Sequence, residues 1–70
     1  MEYVINFLWD DEASVWIAES ENIPGLVLEC GSLDALLEKV KVAVPELLQL
    51  NNEVCQNINL LIHTERRIVV

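Results

Sequence analysis

The sequence predicts a small α+β domain with the element order β-β-β-α-β, in which one helix covers one face of an antiparallel sheet. Two observations support this fold class. Short segments of β-branched and aromatic residues, separated by turn-forming residues, indicate three strands in the first half of the chain. Apolar residues then recur three and four positions apart, as on one side of a helix, before two-residue alternation returns.

The first two strands are predicted to form a hairpin. Residues 3–9 suit a strand, and residues 10–13 form a polar break before a second strand at 14–19. Because successive strand residues point to opposite faces, the first strand carries apolar side chains on both. One face has Tyr3, Ile5, Phe7 and Trp9, and the other has Val4, Asn6 and Leu8.

A proline-glycine pair marks the next turn. Pro24 suits the first central position of a type II turn, and Gly25 allows the positive φ that the second position requires. A third strand is predicted at 26–30. Ser32 is then well placed to cap a helix through its hydroxyl, and Asp34 lies where its charge meets the positive end of the helix dipole.

The helix is predicted from one apolar stripe, which consists of Leu33, Leu36, Leu37, Val40, Val44, Leu47 and Leu48. Pro45 interrupts this pattern. A proline lacks the backbone N–H and clashes with the carbonyl four residues earlier, so we expect a kink or a fresh short helix from Pro45. The helical region is expected to end at Asn51-Asn52.

Alternation from about residue 57 to residue 70 predicts the last strand, with Arg66-Arg67 separating it from a short extension at 68–70. The first, second and last strands carry apolar groups on a face that no second helix can cover. We therefore expect this face to be a contact surface, and the protein to be a homo-oligomer, with a dimer as the first expectation.

The charge balance excludes some partners. The chain has 70 residues, with 12 Asp and Glu against 4 Lys and Arg, and a net charge of −8. Binding to nucleic acid or to an anionic membrane needs cations, so neither is expected of this domain. A basic protein partner is favoured. The alternative is that the charge only keeps an apolar domain soluble.

The remaining residue types point away from catalysis and metal binding. Asp10-Asp11-Glu12 is the densest carboxylate cluster, but consecutive residues project in different directions, and we interpret it as a solvated hairpin turn. Cys30, Cys55 and the one histidine, His63, lack the short spacing of zinc ligands. We expect no enzyme, no cofactor and no metal. Two free thiols, with no signal peptide or membrane span, indicate a cytoplasmic protein.

Several separated motifs resemble one family in the same order. They are Trp9-Asp10, Glu12-Ala13-x-Val15-Trp16-x-Ala18, Ile23-Pro24-Gly25-Leu26, Leu33-Asp34-x-Leu36 and Pro45-Glu46-Leu47-Leu48. Together they resemble a family of short bacterial domains of unknown function that is grouped with the HicB-like antitoxins. The resemblance covers nearly the whole chain and implies a single HicB-like domain over residues 1–70, with a partial RNase H-like fold. Pro24-Gly25 corresponds to the Pro-Gly turn of HicB proteins, and Ser32 resembles their helix-opening Thr.

This resemblance implies a protein-binding role. HicB-type antitoxins cover a small basic toxin that cleaves messenger RNA, and many are oligomers. We therefore expect an antitoxin-like module that sequesters a small basic protein through Asp10, Asp11, Glu12, Trp16, Glu19 and Glu21, with Trp16 as an anchor. The 70 residues contain no helix-turn-helix or ribbon-helix-helix segment, so repression of an operon is not expected. The alternative is a stand-alone homo-oligomeric structural or regulatory domain.

Overall fold

A computed structural model describes residues 2–51 and 57–70. Its elements are β1 (Glu2–Asp10), β2 (Val15–Glu19), β3 (Val27–Cys30), α1 (Leu33–Leu50) and β4 (Asn59–Glu65). This confirms the predicted α+β class and the order β-β-β-α-β. The last strand ends at Glu65, just before the predicted break at Arg66-Arg67, and the short extension at 68–70 has no regular secondary structure.

The four strands form one sheet in the order β3-β2-β1-β4. The pairs β1–β2 and β2–β3 are antiparallel, whereas β4 runs parallel to β1. The prediction of an antiparallel sheet is therefore wrong, and the sheet is mixed. The cause is the connection: a helix between β3 and β4 returns the chain across the sheet, so β4 runs in the same direction as β3 and β1.

The core lies between α1 and one face of the sheet. Its fully buried side chains are Tyr3, Ile5 and Phe7 of β1, Ala18 of β2, Ile23 and Leu26 of the β2–β3 connection, and Leu36, Val40, Val44 and Leu48 of α1. The four helical residues are each four positions apart, so they follow one side of the helix. The predicted apolar stripe is confirmed as the covered side of α1.

Local signals at the start of the helix act as predicted. The Ser32 hydroxyl accepts a hydrogen bond from the backbone N–H of Ala35 at 3.3 Å, and Asp34 lies in the first turn. In the preceding connection, the backbone N–H of Leu26 donates to the carbonyl of Ile23 at 3.3 Å, and Gly25 has a φ of +85°. Both features are those of a type II turn.

The helix continues through Pro45 to Leu50 as one element, so of the two predicted alternatives the fresh short helix is wrong and the kink stays a prediction. Val44 and Leu48, on either side of the proline, are both buried against the sheet. Their packing holds the two parts of the helix together despite the missing hydrogen bond. Asn51 caps the C-terminal end, as expected, and Asn52 lies outside the described residues.

Candidate functional site

The side of the sheet that faces away from α1 is a candidate contact surface. The strand registers place the same alternate residues of all four strands on it. We call this surface the open face. Its residues are Glu2, Val4, Asn6, Leu8 and Asp10 of β1, Val15, Ile17 and Glu19 of β2, Val27 and Glu29 of β3, and Asn59, Leu61, His63 and Glu65 of β4.

Apolar side chains occupy the middle of the open face. Leu8 lies directly opposite Ile17 across the β1–β2 pair, and Val4 lies beside Leu61 across the β1–β4 pair. Leu8, Ile17 and Val4 are half-buried, and Leu61 is 44% exposed. Val27, near the β3 edge, is 73% exposed. The sequence-based expectation of a second apolar face is therefore confirmed, and no described helix covers it.

Carboxylates surround this apolar centre. Glu29 on β3 is paired with Ile17, and Glu65 on β4 is paired with Leu8, so one row across the sheet has a carboxylate at each edge. Glu2, Asp10 and Glu19 lie at strand ends on the same face. None of the open-face strand positions is Lys or Arg. Lys39 and Lys41 are on α1, whereas Arg66 and Arg67 follow β4 and line a pocket with Leu8 and Glu65 at one end of the open face.

The β1–β2 turn holds three of the residues predicted to bind a partner. The Asp10 carboxylate accepts hydrogen bonds from the backbone N–H groups of Glu12 at 3.0 Å and Ala13 at 3.3 Å. Asp10 therefore stabilises the turn while lying at the end of the open face. The Asp11 carboxylate accepts a hydrogen bond from the indole N–H of Trp9 at 2.6 Å. Glu12 is exposed in the turn.

Trp16, the predicted anchor, lies on the opposite side of the sheet, which faces α1. It is half-buried and meets the ring of Trp9 edge-on, with 5.4 Å between the ring centroids. The guanidinium of Arg66 lies over the Trp9 ring, 4.1 Å from its centroid. Sequence reasoning missed this Arg66 contact. It follows from the parallel pairing of β1 with β4, which brings the residue after Glu65 beside Trp9.

Glu19 and Glu21, the remaining predicted residues, lie near a cleft at the other end of β1. The Ser20 hydroxyl donates to the carbonyl of Val4 at 2.6 Å, and the N–H of Val4 donates to Asn22 Oδ1 at 3.3 Å. The β1–β2 pairing does not extend beyond Asn6, so these two side chains bond the backbone N–H and carbonyl of Val4 instead. They also fix Glu21 beside the open face, where Val4, Asn6, Glu21 and Asn22 line a cleft of about 390 Å³.

Residues 2–51 and 57–70 contain no group of three or more His, Cys, Asp or Glu side chains placed to hold a metal ion. Cys30 is a half-buried free thiol, and His63 is exposed on the open face. Cys55 lies outside the described residues. None of the described helices is both long enough and apolar enough to cross a membrane.

Comparison with known proteins identifies a family. The family model described as a domain of unknown function, DUF1902, matches residues 2–69. No curated protein matches the chain. The fold is similar to the crystal structure of a hypothetical protein, TTHA1013, from the extremely thermophilic bacterium Thermus thermophilus, with a TM-score of 0.85 and 39% identity over 100% of both chains. The protein therefore belongs to the family of the domain of unknown function DUF1902.

Proposed function

We propose that this protein is an antitoxin-like binding module that sequesters a small basic protein on its open face and performs no catalysis itself. The observation that carries this proposal is the composition of that face. An apolar centre of Leu8, Ile17, Val4 and Leu61 lies among five carboxylates, with no Lys or Arg at any strand position. Protein interfaces combine an apolar core with a polar rim in the same way.

The charge of the open face favours a basic partner over a second copy. Two open faces packed against each other would bring ten carboxylates together, five from each copy. Like charges placed opposite each other across an interface cost several kcal/mol, on the order of the binding energy available. A surface rich in Lys and Arg would instead neutralise the rim. It would also associate faster through electrostatic attraction.

The cleft beside Val4 gives this interface a position for one cationic side chain. Glu21 provides a carboxylate there and Asn6 an amide oxygen, whereas the Asn22 oxygen already accepts from the Val4 N–H and the Ser20 hydroxyl. Glu19 lies directly opposite Asn6 in the β1–β2 pair, so a second carboxylate is close to the cleft. Arg presents five N–H donors in a planar group, which suits several oxygen acceptors at once. We therefore expect the partner to insert an Arg here.

The predicted contact residues divide into two groups under this proposal. Asp10 and Glu19 belong to the open face, and Glu21 lies beside it. Asp11 and Glu12 extend the negative charge into the β1–β2 turn. Trp16 faces α1, so its predicted role as an anchor requires a partner that also reaches the end of the sheet. The resemblance to HicB-like antitoxins supports the same class of partner, namely a small basic toxin.

The alternative function, a stand-alone homo-oligomeric domain, needs a surface that accepts a second copy. The open face suits that role less well, because all charged side chains at its strand positions are carboxylates and Arg66 and Arg67 border it at one end only. The outer side of α1, which carries both signs of charge, suits it better. A self-associating structural or regulatory domain is therefore the second candidate, on a different surface.

The test begins with capture of proteins from a lysate of the native host on the immobilised protein. A captured protein is then purified, and its binding is measured by calorimetry at two salt concentrations. We expect a protein of high isoelectric point that cleaves messenger RNA and is inhibited by an equimolar amount of this module. Its affinity should fall as salt rises, because exposed charge pairs are screened.

Charge reversals locate the interface. Glu29→Lys and Glu65→Lys change opposite edges of the open face, and each is expected to weaken binding about tenfold. Glu38→Lys makes the same change in net charge on the outer side of α1 and should have little effect. Equal effects of all three variants, or a captured protein that is acidic and insensitive to salt, would contradict the proposal.

A further inference from the structure

The outer side of α1 carries a second stripe whose residues are exposed, apart from half-buried Ala43 at its margin. Ala35, Lys39, Val42, Glu46 and Leu50 follow one another at intervals of four, three, four and four residues, so they lie on one side of the helix. Val42 is 64% exposed and Leu50 is 78% exposed. Together with Ala43, these residues are called the outer stripe.

A shallow groove runs beside the outer stripe. It has a volume of about 430 Å³ and is lined by Leu28 of β3 and by Glu38, Lys39, Val42, Ala43 and Glu46 of α1. Within residues 2–51 and 57–70, the Glu46 carboxylate has no hydrogen-bond or ion-pair partner. In the same part of the chain, the Lys39 ammonium donates one hydrogen bond, to the backbone carbonyl of Glu29 at 3.4 Å, and pairs with no carboxylate. A stripe with exposed apolar groups and one charge of each sign is suited to a contact.

The order of residues in the outer stripe makes it complementary to itself. When two identical helices pack antiparallel about a twofold axis, the residue numbers of any two facing residues add up to the same sum. With the symmetry axis between Val42 and Ala43, Val42 faces Ala43 of the second copy. Lys39 then faces Glu46 of the second copy, and Ala35 faces Leu50 of the second copy. Each of these contacts between outer-stripe residues is thus apolar with apolar or cation with anion, and each occurs twice.

Other alignments lose this complementarity. Moving the axis onto Val42 places Glu38 opposite Glu46 of the second copy, which brings two carboxylates together. A parallel pair related by twofold symmetry places Lys39 opposite Lys39 and Glu46 opposite Glu46. Like charges at such positions are destabilising. The small side chains of Ala35 and Ala43 also allow the two helices to approach closely. Of the three arrangements compared, charge favours the antiparallel one with its axis between Val42 and Ala43.

We propose that two copies of this protein associate through antiparallel packing of α1 along the outer stripe, with paired Lys39–Glu46 contacts at both ends of the interface. This surface is separate from the open face, so each copy keeps its open face available. The interface is small. One side of an 18-residue helix buries less than the roughly 800 Å² per partner of a stable complex. We therefore expect a weak dimer that forms at high protein concentration.

The proposal is tested by sedimentation velocity over a concentration series that reaches about 1 mM. The wild-type protein should shift from monomer to dimer. Lys39→Glu and Glu46→Lys should each weaken dimerisation about tenfold or more, because each places like charges at both ends. Lys41→Glu is the matched control. It makes the same charge change as Lys39→Glu outside the stripe, where it removes an exposed ion pair within the helix to Glu38, and should leave the dimer unchanged.

Mixing the two reversal variants gives the sharper measurement. A Lys39→Glu copy has two carboxylates in its outer stripe, and a Glu46→Lys copy has two ammonium groups, so a heterodimer has two favourable contacts. We expect the mixture to dimerise although each variant alone does not. Both variants keep a large negative net charge, so overall attraction cannot explain this result. The double variant Lys39→Glu/Glu46→Lys should likewise recover the homodimer.

Three results would overturn the proposal. One is a wild-type protein that stays monomeric throughout the concentration series. Another is a dimer that Lys39→Glu weakens no more than Lys41→Glu, since that dimer uses another surface. The third is a mixture of the two reversal variants that stays monomeric. Far-ultraviolet circular dichroism of every variant checks that α1 remains folded. Both substituted side chains are exposed, so we expect no loss of helix.

Discussion

The two sides of the sheet have similar sequences and different roles. Along β1, Tyr3, Ile5 and Phe7 are buried under α1, whereas Val4 and Leu8, their immediate neighbours, are only half-buried on the open face. Both sides are apolar, but one helix is available to cover them. Burial of apolar surface stabilises the fold on the covered side. On the open side the same kind of residue adds less stability and remains available to a partner.

The largest expected effect tests this difference within one strand. Phe7→Ala removes a fully buried ring and should lower the free energy of unfolding by about 3–5 kcal/mol. Leu8→Ala, one residue further on, should cost about 1 kcal/mol or less because its side chain faces the open side. Urea denaturation followed by circular dichroism measures both. Similar losses for the two variants would mean that the open face is also part of the core.

The second-largest loss of stability is expected at the type II turn that contains Gly25. Gly25→Ala places a side chain at a φ of +85°, which costs about 1–2 kcal/mol for an L-residue. The added methyl group would not clash with its surroundings, since an added Cβ lies 3.6 Å from Leu47 Cδ2, an ordinary contact distance. The turn matters for the covered side because Ile23 and Leu26 on its two ends are buried.

Gly31→Ala is the control for the turn. Gly31 has no positive φ, and an added Cβ would meet only the Ser14 carbonyl oxygen at 4.0 Å. We expect its thermal midpoint to stay close to that of the wild type. If the two glycine variants lose the same stability, the cost is not a consequence of the backbone conformation at Gly25.

Removing the helix cap should have a smaller effect on the covered side. Ser32→Ala deletes the acceptor for the N–H of Ala35 and should cost about 1 kcal/mol. Ser32→Asp keeps an acceptor at the same place and should retain most of the stability. Thermal unfolding of the three proteins under one set of conditions measures the order. Equal midpoints for Ser32→Ala and Ser32→Asp would show that the cap contributes little.

The smallest stability change is expected on the open face. Ile17→Thr keeps a β-branched side chain in β2 while making the apolar centre polar, so we expect a loss of about 0.5 kcal/mol. Its effect on binding should be larger, since Ile17 and Leu8 form the middle of the proposed contact. Parallel urea denaturation and calorimetry with the captured partner separate the two quantities. A variant that loses stability but binds normally would contradict the proposed division between the two sides.

Much of the fold could be predicted because its signals are local. Two-residue alternation assigned Phe7 and Leu8 to opposite faces, the Pro24-Gly25 pair predicted a type II turn, and Ser32 predicted the helix start. Each depends on neighbours within a few positions. The direction of β4 is different. It depends on how α1 crosses the sheet, a property of the whole chain that the alternation in residues 57–70 does not contain.

The candidate site was harder to predict for the same reason. Carboxylates near the turns are visible in the sequence, and Asp10 and Glu19 do lie on the open face. The pairing of Glu65 with Leu8 and the position of Arg66 over Trp9 both require the parallel β1–β4 register. The size of Trp16 and its closeness to the acidic turn predict an anchor, yet the face on which it lies follows from its pairing with Trp9.

The parallel pairing of β1 with β4 also affects how the chain folds during synthesis. Strand β1 lies inside the sheet, yet one of its two neighbours is translated last among the strands. Until residues 59–65 leave the ribosome, β1 has one unpaired edge, and its hydrogen-bonding groups there are open to other chains. The pairing of β1 with β4 joins segments that are far apart in the sequence, and such long-range contacts slow folding. A nascent chain that lacks β4 should therefore need protection by a chaperone, even though α1 and the other three strands have already been made.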